Sequence, residues 1–352
     1  MSTPTISDRK RDHLELCADQ DVEARAKTNL LDAVELFHSS LPEVDVDAID
    51  LSVEFLGRQL QAPLLITGMT GGAPEAERIN RELALVAQEM GLAFGVGSQR
   101  AMARDRALLS TYQVRDVAPD ICLLGNIGAV QVAAMSTDEV EDLVGSIGAD
   151  ALCVHLNPGQ ELIQPEGDRD FRGCIDAIAR LVEELSVPVI AKETGCGLSP
   201  GTLNTLQKIG VGTVDTSGAG GTTWIGVEAM RAPADQQTLG ELFWDWGVPT
   251  AASIVYARRR DLQVIGSGGL RTGYDAARAI ALGADIAGMA LPWLRACYHE
   301  GAEGARAFGA HCTSALRTTM ALTGSATLDE LRQAPRMIGP RLERWLAADT
   351  CR

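Results

Sequence analysis

Residues 263–273 read Gln263-Val264-Ile265-Gly266-Ser267-Gly268-Gly269-Leu270-Arg271-Thr272-Gly273, and the fold is decided by how this stretch is understood. A short run, Gln263 to Ser267, breaks into a glycine turn; an amphipathic helix-length segment, Asp275 to Leu282, follows and stops at Gly283. Runs that are apolar throughout, without alternation, suit parallel strands covered on both faces. Glycines after such a strand let backbone N–H groups approach a phosphate, and the next helix N-terminus adds partial positive charge. The plainer alternative is a turn whose glycines serve geometry alone.

The same unit recurs outward from this point. Apolar runs lie at Pro63–Thr67, Leu92–Val96, Ile121–Gly125, Ala151–His155, Pro188–Lys192, Thr213–Ser217, Gln263–Ser267 and Asp285–Met289. Helical periodicity fills Glu75–Met90, Thr137–Ile147, Gly173–Leu185, Pro200–Ile209 and Asp275–Leu282. Gly91, Gly148, Gly210 and Gly283 stand where helices hand over to strands. Eight βα units favour a closed (β/α)8 TIM barrel over a doubly wound sheet. A Rossmann fold also wants G-x-G-x-x-G after its first strand, which Thr67 to Gly72 does not supply. The chain of 352 residues reads as one domain: an N-terminal extension 1–62, a barrel core of about 63–297, and C-terminal helices of about 298–352. Both extensions are expected to be helix-rich.

Composition bounds the partners. With 31 Lys+Arg against 47 Asp+Glu the net charge is −16, so nucleic acid and anionic membrane are poor partners. An anionic small molecule stays open, since a few cations in a cleft outweigh the global sign. The eight cysteines, Cys17, Cys122, Cys153, Cys174, Cys196, Cys297, Cys312 and Cys351, form no C-x-x-C pair and read as reduced, mostly buried thiols. Residues 1–27 lack the apolar core of a secretory signal, and no apolar run is long enough to span a membrane, so the expected location is cytoplasmic.

In a barrel the chemistry collects at the C-terminal strand ends, and the polar residues gather there. The first strand ends in Gly68-Met69-Thr70-Gly71-Gly72, the second in Gly97-Ser98-Gln99-Arg100, the third in Gly125-Asn126. The fourth ends in His155-Leu156-Asn157-Pro158-Gly159-Gln160-Glu161, the fifth in Lys192-Glu193, the sixth in Ser217-Gly218-Ala219-Gly220-Gly221-Thr222. Lys192 ends an apolar strand, so its ammonium either faces an anion or cofactor or pairs with a carboxylate such as Glu193. His155 reads equally as a core histidine. Glu161 is a candidate ligand for a divalent metal, or part of a solvated loop. Arg9-Lys10-Arg11, as a bare charge run, reads as solvent-exposed.

Taken together the motifs resemble the type 2 isopentenyl diphosphate isomerases, FMN-dependent enzymes of isoprenoid biosynthesis. The likeness rests on Arg9-Lys10-x-x-His13-Leu14, Met69-Thr70-Gly71-Gly72, Gly97-Ser98-Gln99-Arg100, His155-Leu156-Asn157-x-x-Gln160-Glu161 through Gln164-Pro165-Glu166-Gly167-Asp168-Arg169, Lys192-Glu193 and Ser217-Gly218-x-Gly220-Gly221-Thr222. Gly68, where alanine is expected, and Thr223, where serine is common, are the departures.

The resemblance implies FMN across the barrel mouth, held by Gly68, Met69, Thr70, Ser98, Asn126, Lys192, Ser217 and Thr222, its phosphate on Gly269, Leu270, Arg271, Ala290 and Leu291. It implies substrate diphosphate on Arg9, Lys10, Ser98, Gln99, Arg100 and Gln160, with Mg²⁺ on Glu161 and NADPH as reductant. Gln160, ahead of His155, is implied as the participant in proton handling. A homo-oligomer, tetramer or octamer, is implied as well; whether Arg9 serves its own or a neighbouring subunit's site stays open. A 2-hydroxy acid oxidase on a similar barrel needs a base, typically histidine, in the turn after the sixth strand, and Ser217 to Thr222 has none.

Overall fold

A computed structural model describes residues 6–349. Eight parallel strands close into a barrel: β1 (Leu64–Ile66), β2 (Ala93–Gly95), β3 (Cys122–Gly128), β4 (Ala151–Leu156), β5 (Val189–Glu193), β6 (Thr213–Asp215), β7 (Gln263–Ser267) and β8 (Ile286–Met289). Each strand pairs with the next, and β8 returns to β1. All eight expected runs are strands, within a few residues at their ends.

The two-residue period of a strand separates interior from exterior. Leu65, Leu124, Cys153, Ile190 and Ile265 fill the barrel interior. Two residues further along the same strands come Thr67, Asn126, His155, Lys192 and Ser267, which line a cleft at the C-terminal mouth. An apolar plug therefore becomes a polar floor one pleat higher. The opposite end is closed by the hairpin Val53–Phe55 and Arg58–Leu60, whose turn residues Leu56 and Gly57 have φ of 50° and 73°; Phe55 and Leu60 pack under the plug.

The expected helices are present as Pro74–Met90, Thr137–Ile147, Cys174–Glu184, Pro200–Lys208 and Gly273–Ala281. Thr137–Ile147 opens with a Ser136–Glu139 capping box and closes on Gly148 in the left-handed region at φ 63°. The helix-rich expectation fails for most of the N-terminal extension. After the helix Ile6–Asp19, residues 20–62 carry only two short 3-10 turns and small strands, one of which, Val34–Leu36, pairs antiparallel with Arg336–Ile338. The C-terminal part is helical, but its long helix starts inside the assumed core: it runs Leu291–Thr323 and kinks at Gly301. The seven described cysteines are free, five of them buried, and Cys351 lies outside the described residues. No helix among the described residues is long and apolar enough to cross a membrane.

Candidate active site

A cleft opens at the C-terminal mouth, and residues from every barrel strand or its following loop line it. Of the residues expected to hold cofactor, substrate or metal or to handle protons, all but Thr70 and Gln99 reach this cleft. Gln99 is fully buried, with its amide nitrogen on the Leu143 carbonyl at 2.9 Å and its amide oxygen taking the Asn126 N–H at 2.9 Å. Its amide is thus engaged below the cleft wall, away from the space a ligand would occupy. Thr70 stands one layer back, its carbonyl accepting from the Gly97 N–H at 2.8 Å, and its hydroxyl has no hydrogen-bond partner among the described residues.

One wall is built from glycine turns. Gly268 and Gly269 have φ of 107° and 76°, and a Cβ on Gly268 would stand 2.2 Å from the Gly218 nitrogen. The turns after β6 and β7 therefore interlock backbone to backbone, and only glycine permits that spacing. The segment after the first helix braces them from outside: Asn29 Nδ2 donates to the Gly269 carbonyl at 2.7 Å, and Glu23 pairs with Arg271 at 3.0 Å. Ser217, between the turns, sits at φ 34°, a strained setting for a serine.

The helix expected to lend its N-terminus to a phosphate is not the one available. Gly273–Ala281, after β7, begins with a capping box in which Asp275 accepts from the N–H groups of Arg271 and Thr272, each at 3.0 Å. That end is already neutralised by a carboxylate. Leu291–Thr323, after β8, has no side-chain cap and no acidic residue in its first turn, and its leading residues Ala290 and Leu291 line the cleft. The open positive helix end belongs to this second helix. Gly266, the first glycine of the quoted turn, lies inside β7, where a Cβ would press on Ala284 at 2.8 Å. It serves packing.

The facing wall is cationic. The helix Ile6–Asp19 brings Arg9, Lys10 and His13 to the mouth of its own barrel. Arg9 is buried and pairs with Glu166 at 3.4 Å. Arg100 stands 3.6 Å from Glu161 and 3.3 Å from Asp168. Burial, then the charges of Arg9 and Arg100, push the Lys10 ammonium down to about 7 against the pull of Glu228.

Glu228 is the hub of this wall and was missed in the sequence. It lies on the helix Trp224–Arg231, accepts from Gln160 Nε2 at 2.9 Å and from Arg231 at 2.8 Å, and has His13 Nε2 at 2.9 Å. Gln164, with its amide turned to satisfy both neighbours, donates to Glu228 at 3.1 Å and accepts from Arg9 at 2.8 Å. Burial works against the Glu228 carboxylate, but His13, Gln160 and Arg231 outweigh it and hold the carboxyl down to about 2.

Between the walls, His155 Nδ1 lies 2.8 Å from Asn126 Oδ1. Burial, then the charges of Lys10, Lys192 and Arg100, press the imidazole down to about 3, so it is neutral near pH 7 with its proton on Nδ1. Lys192 does not pair with Glu193. Register sets His155 beside Lys192 and Lys192 beside Asp215, all pointing inward, and Lys192 Nζ meets Asp215 Oδ2 at 2.9 Å. Glu193 faces the other way and accepts from the N–H groups of Thr194 at 2.6 Å and Gly197 at 2.9 Å.

The donor set decides what could be held. Interlocked glycine turns, an uncapped helix end and Arg271 make a cradle that could hold a phosphate, and Lys192, Asn126 and Ser98 line the same cleft. Glu161 is buried, oriented by Asn157 Nδ2 at 3.1 Å and the Asp168 N–H at 2.7 Å. The described residues contain no group of three potential metal-ligating side chains. A single oriented carboxylate fits a cation whose other ligands are phosphate oxygens and water, the usual manner of Mg²⁺.

A family model for FMN-dependent dehydrogenases matches residues 159–337, about half of the chain. The chain is 47% identical to an isopentenyl-diphosphate delta-isomerase of Methanothermobacter thermautotrophicus, over 97% of this chain and 96% of that protein. Similar enzymes of Halobacterium salinarum and Nostoc sp. are 48% and 45% identical, over 94% and 95% of this chain and 93% and 98% of theirs. Among solved structures, a flavocytochrome b2 variant superposes with TM-score 0.69 at 18% identity, over 97% of this chain and 85% of that one. A mandelate oxidase with an FMN adduct superposes with TM-score 0.65 at 16% identity, over 92% and 95%. At such identities these two speak for the fold alone.

Proposed function

Since the chain belongs to the isopentenyl-diphosphate delta-isomerases within the FMN-dependent dehydrogenase family, we propose that it converts isopentenyl to dimethylallyl diphosphate in this cleft, using FMN and Mg²⁺. One observation carries the reading: the cleft gathers two separate sets of donors suited to anions, on opposite walls. The glycine turns with the helix end at Ala290–Leu291 suit one phosphate. Arg9, Lys10 and Arg100 suit a second anion across the mouth. A cofactor phosphate on the first and a substrate diphosphate on the second leave the substrate's hydrocarbon chain between them.

The reaction adds a proton at one carbon and removes one at another, with no net redox change. The side chains at the centre are poorly suited to that exchange: His155 is held neutral, and the Gln160 amide does not titrate. Bound FMN, once reduced, supplies the proton-transfer centre that these side chains lack.

The chain positions and tunes. Gln160, fixed by Glu228 on one side and accepting from Asn157 at 3.1 Å on the other, presents its amide to the reacting carbons. His155 and Asn126 form the neutral floor that separates the cationic wall from the alkene. Lys192, which lines the cleft, would supply a hydrogen-bond donor to a bound flavin. Glu161 would hold Mg²⁺, which would supply charge neutralisation to the diphosphate, and Arg9, Lys10 and Arg100 would add to it. The reading extends to NADPH as reductant and to a cytoplasmic homo-oligomer, tetramer or octamer, on the strength of the family resemblance.

The test is a reconstitution. Protein supplied with FMN, Mg²⁺ and NADPH or dithionite without oxygen is expected to form dimethylallyl diphosphate. Omitting FMN is expected to abolish the product.

A further inference from the structure

The floor of the cleft contains a buried ion pair that the roles above do not require. Lys192 of β5 and Asp215 of β6 are neighbours by register, with side-chain exposures of 8% and 1%, and Nζ lies 2.9 Å from Oδ2. Asp215 is the single anionic partner of Lys192 among the described residues. Two further donors hold it: Ser267 Oγ of β7 bonds Oδ1, and Oγ1 of Thr67, the residue just past β1, lies 3.4 Å from Oδ2. Ser267 in turn receives the Ser217 N–H at 3.1 Å, tying the carboxylate to the turn after β6.

Four strands thus converge on one carboxylate directly beneath a lysine that faces the cleft. A buried lysine could have been left to be neutralised by its ligand, but the protein has built an anion for it. Desolvating both ions is expensive, and a pair of apolar residues would pack here at lower cost. Such a pair is expected to be retained for what it does to the group above it.

We propose that Asp215 is the positioning and charge-compensating residue for Lys192, so that the flavin rests on a hydrogen-bond donor belonging to a net-neutral pair, not on an uncompensated cation. The inference rests on the reading that FMN binds over Lys192. Its consequence is a lower reduction potential than an isolated lysine would give, because an unpaired cation beneath the ring favours the more anionic, reduced form. The compensated floor keeps reduced flavin reactive instead of over-stabilised.

The test is the reduction potential of bound FMN in four proteins: wild type, Lys192→Met, Asp215→Asn and the double variant. Each is assayed with dithionite and a reference dye, alongside FMN affinity and thermal unfolding of the apoprotein. Lys192→Met is expected to shift the reduction equilibrium against reduced flavin, on the order of tenfold. Asp215→Asn is expected to shift it about as far the other way. The double variant is expected to return towards wild type, since a neutral pair has been exchanged for a neutral pair.

A structural role alone would lower apoprotein stability and FMN affinity and leave the potential of Asp215→Asn at the wild-type value; that result overturns the proposal. So does a double variant no closer to wild type than Lys192→Met. Should Asp215→Asn alone fail to fold, the comparison of Lys192→Met with the double variant still decides. If Lys192→Met binds FMN with unchanged potential, the flavin does not meet Lys192, and it is the underlying placement that fails.

Discussion

Gln160 donates its side-chain amide to Glu228 across 2.9 Å, so a residue of the short helix Pro158–Ile163 after β4 is fixed by a carboxylate of the helix after β6. Glu228 is buried and simultaneously bonds Arg231. The orientation of the Gln160 amide therefore depends on a charge that itself reaches no solvent.

Glu228→Gln is expected to lower isomerase kcat by about 10²-fold, the order of effect of misplacing a positioned group, while FMN affinity stays close to wild type. Steady-state kinetics and flavin fluorescence titration check both. The same carboxyl bears on acid stability. Its folded-state pKa, about 2, lies below the ordinary carboxylate value, so its stabilisation is full above about pH 4.3 and drains away as pH falls towards 2. Acid unfolding of Glu228→Gln is expected to start from a less stable protein and to be shallower across that window.

His155 is expected to stay neutral down to low pH, because its folded-state pKa is pressed to about 3. Its preference for the neutral form makes stability full above about pH 6.5, and this is lost as pH falls from there towards 3. Imidazole ¹⁵N shifts across that range would show the Nδ1–H form persisting, and kcat/KM would carry no inflection near 6.5 from this residue. An imidazolium signal at pH 6 contradicts the assignment.

Lys10 behaves in the opposite sense towards substrate. Its folded-state pKa of about 7 means that it is cationic below neutrality and loses its charge as pH rises. Diphosphate binding to the free enzyme is expected to weaken as pH rises through 7. Lys10→Met is expected to remove that step and weaken binding at pH 6; calorimetry with inorganic diphosphate and Mg²⁺ reads both.

Gln99 and Arg100 are adjacent in sequence and are expected to separate in function. Gln99→Leu leaves the Asn126 N–H and Leu143 carbonyl unpaired, at about 1–3 kcal/mol each, which thermal unfolding will register. Arg100→Ala is expected to raise substrate KM with little change in melting temperature. Glu161→Gln completes the set: the Mg²⁺ concentration for half-maximal activity rises and flavin binding is nearly intact. Loss of flavin in that variant would mean that the loop from Asn157 to Arg169 is misassigned.

Most strands were legible because covered parallel strands are largely apolar, and because in five of them a polar residue stands two places beyond an interior apolar one, as from Ile190 to Lys192. Asp215 escaped notice because its strand, Thr213-Val214-Asp215, is too short to show that rhythm; only the register with β5 makes it the partner of Lys192. Glu228 was hidden for a different reason. With Arg231 three residues on, it reads as an exposed ion pair on a helix face, and its burial follows from the docking of Ile6–Asp19 and Pro158–Ile163 against that helix. The capping role of Asp275 was visible in Thr272-Gly273-Tyr274-Asp275, and it closes the very helix end that the glycine turn had suggested was open.

The most direct measurement is product formation under anaerobic reducing conditions, with FMN and Mg²⁺ present and isopentenyl diphosphate as the only substrate. Dimethylallyl diphosphate should accumulate to equilibrium with no net consumption of reductant beyond that needed to reduce the flavin once. A protein that binds and reduces FMN but leaves isopentenyl diphosphate unchanged would contradict the proposed function.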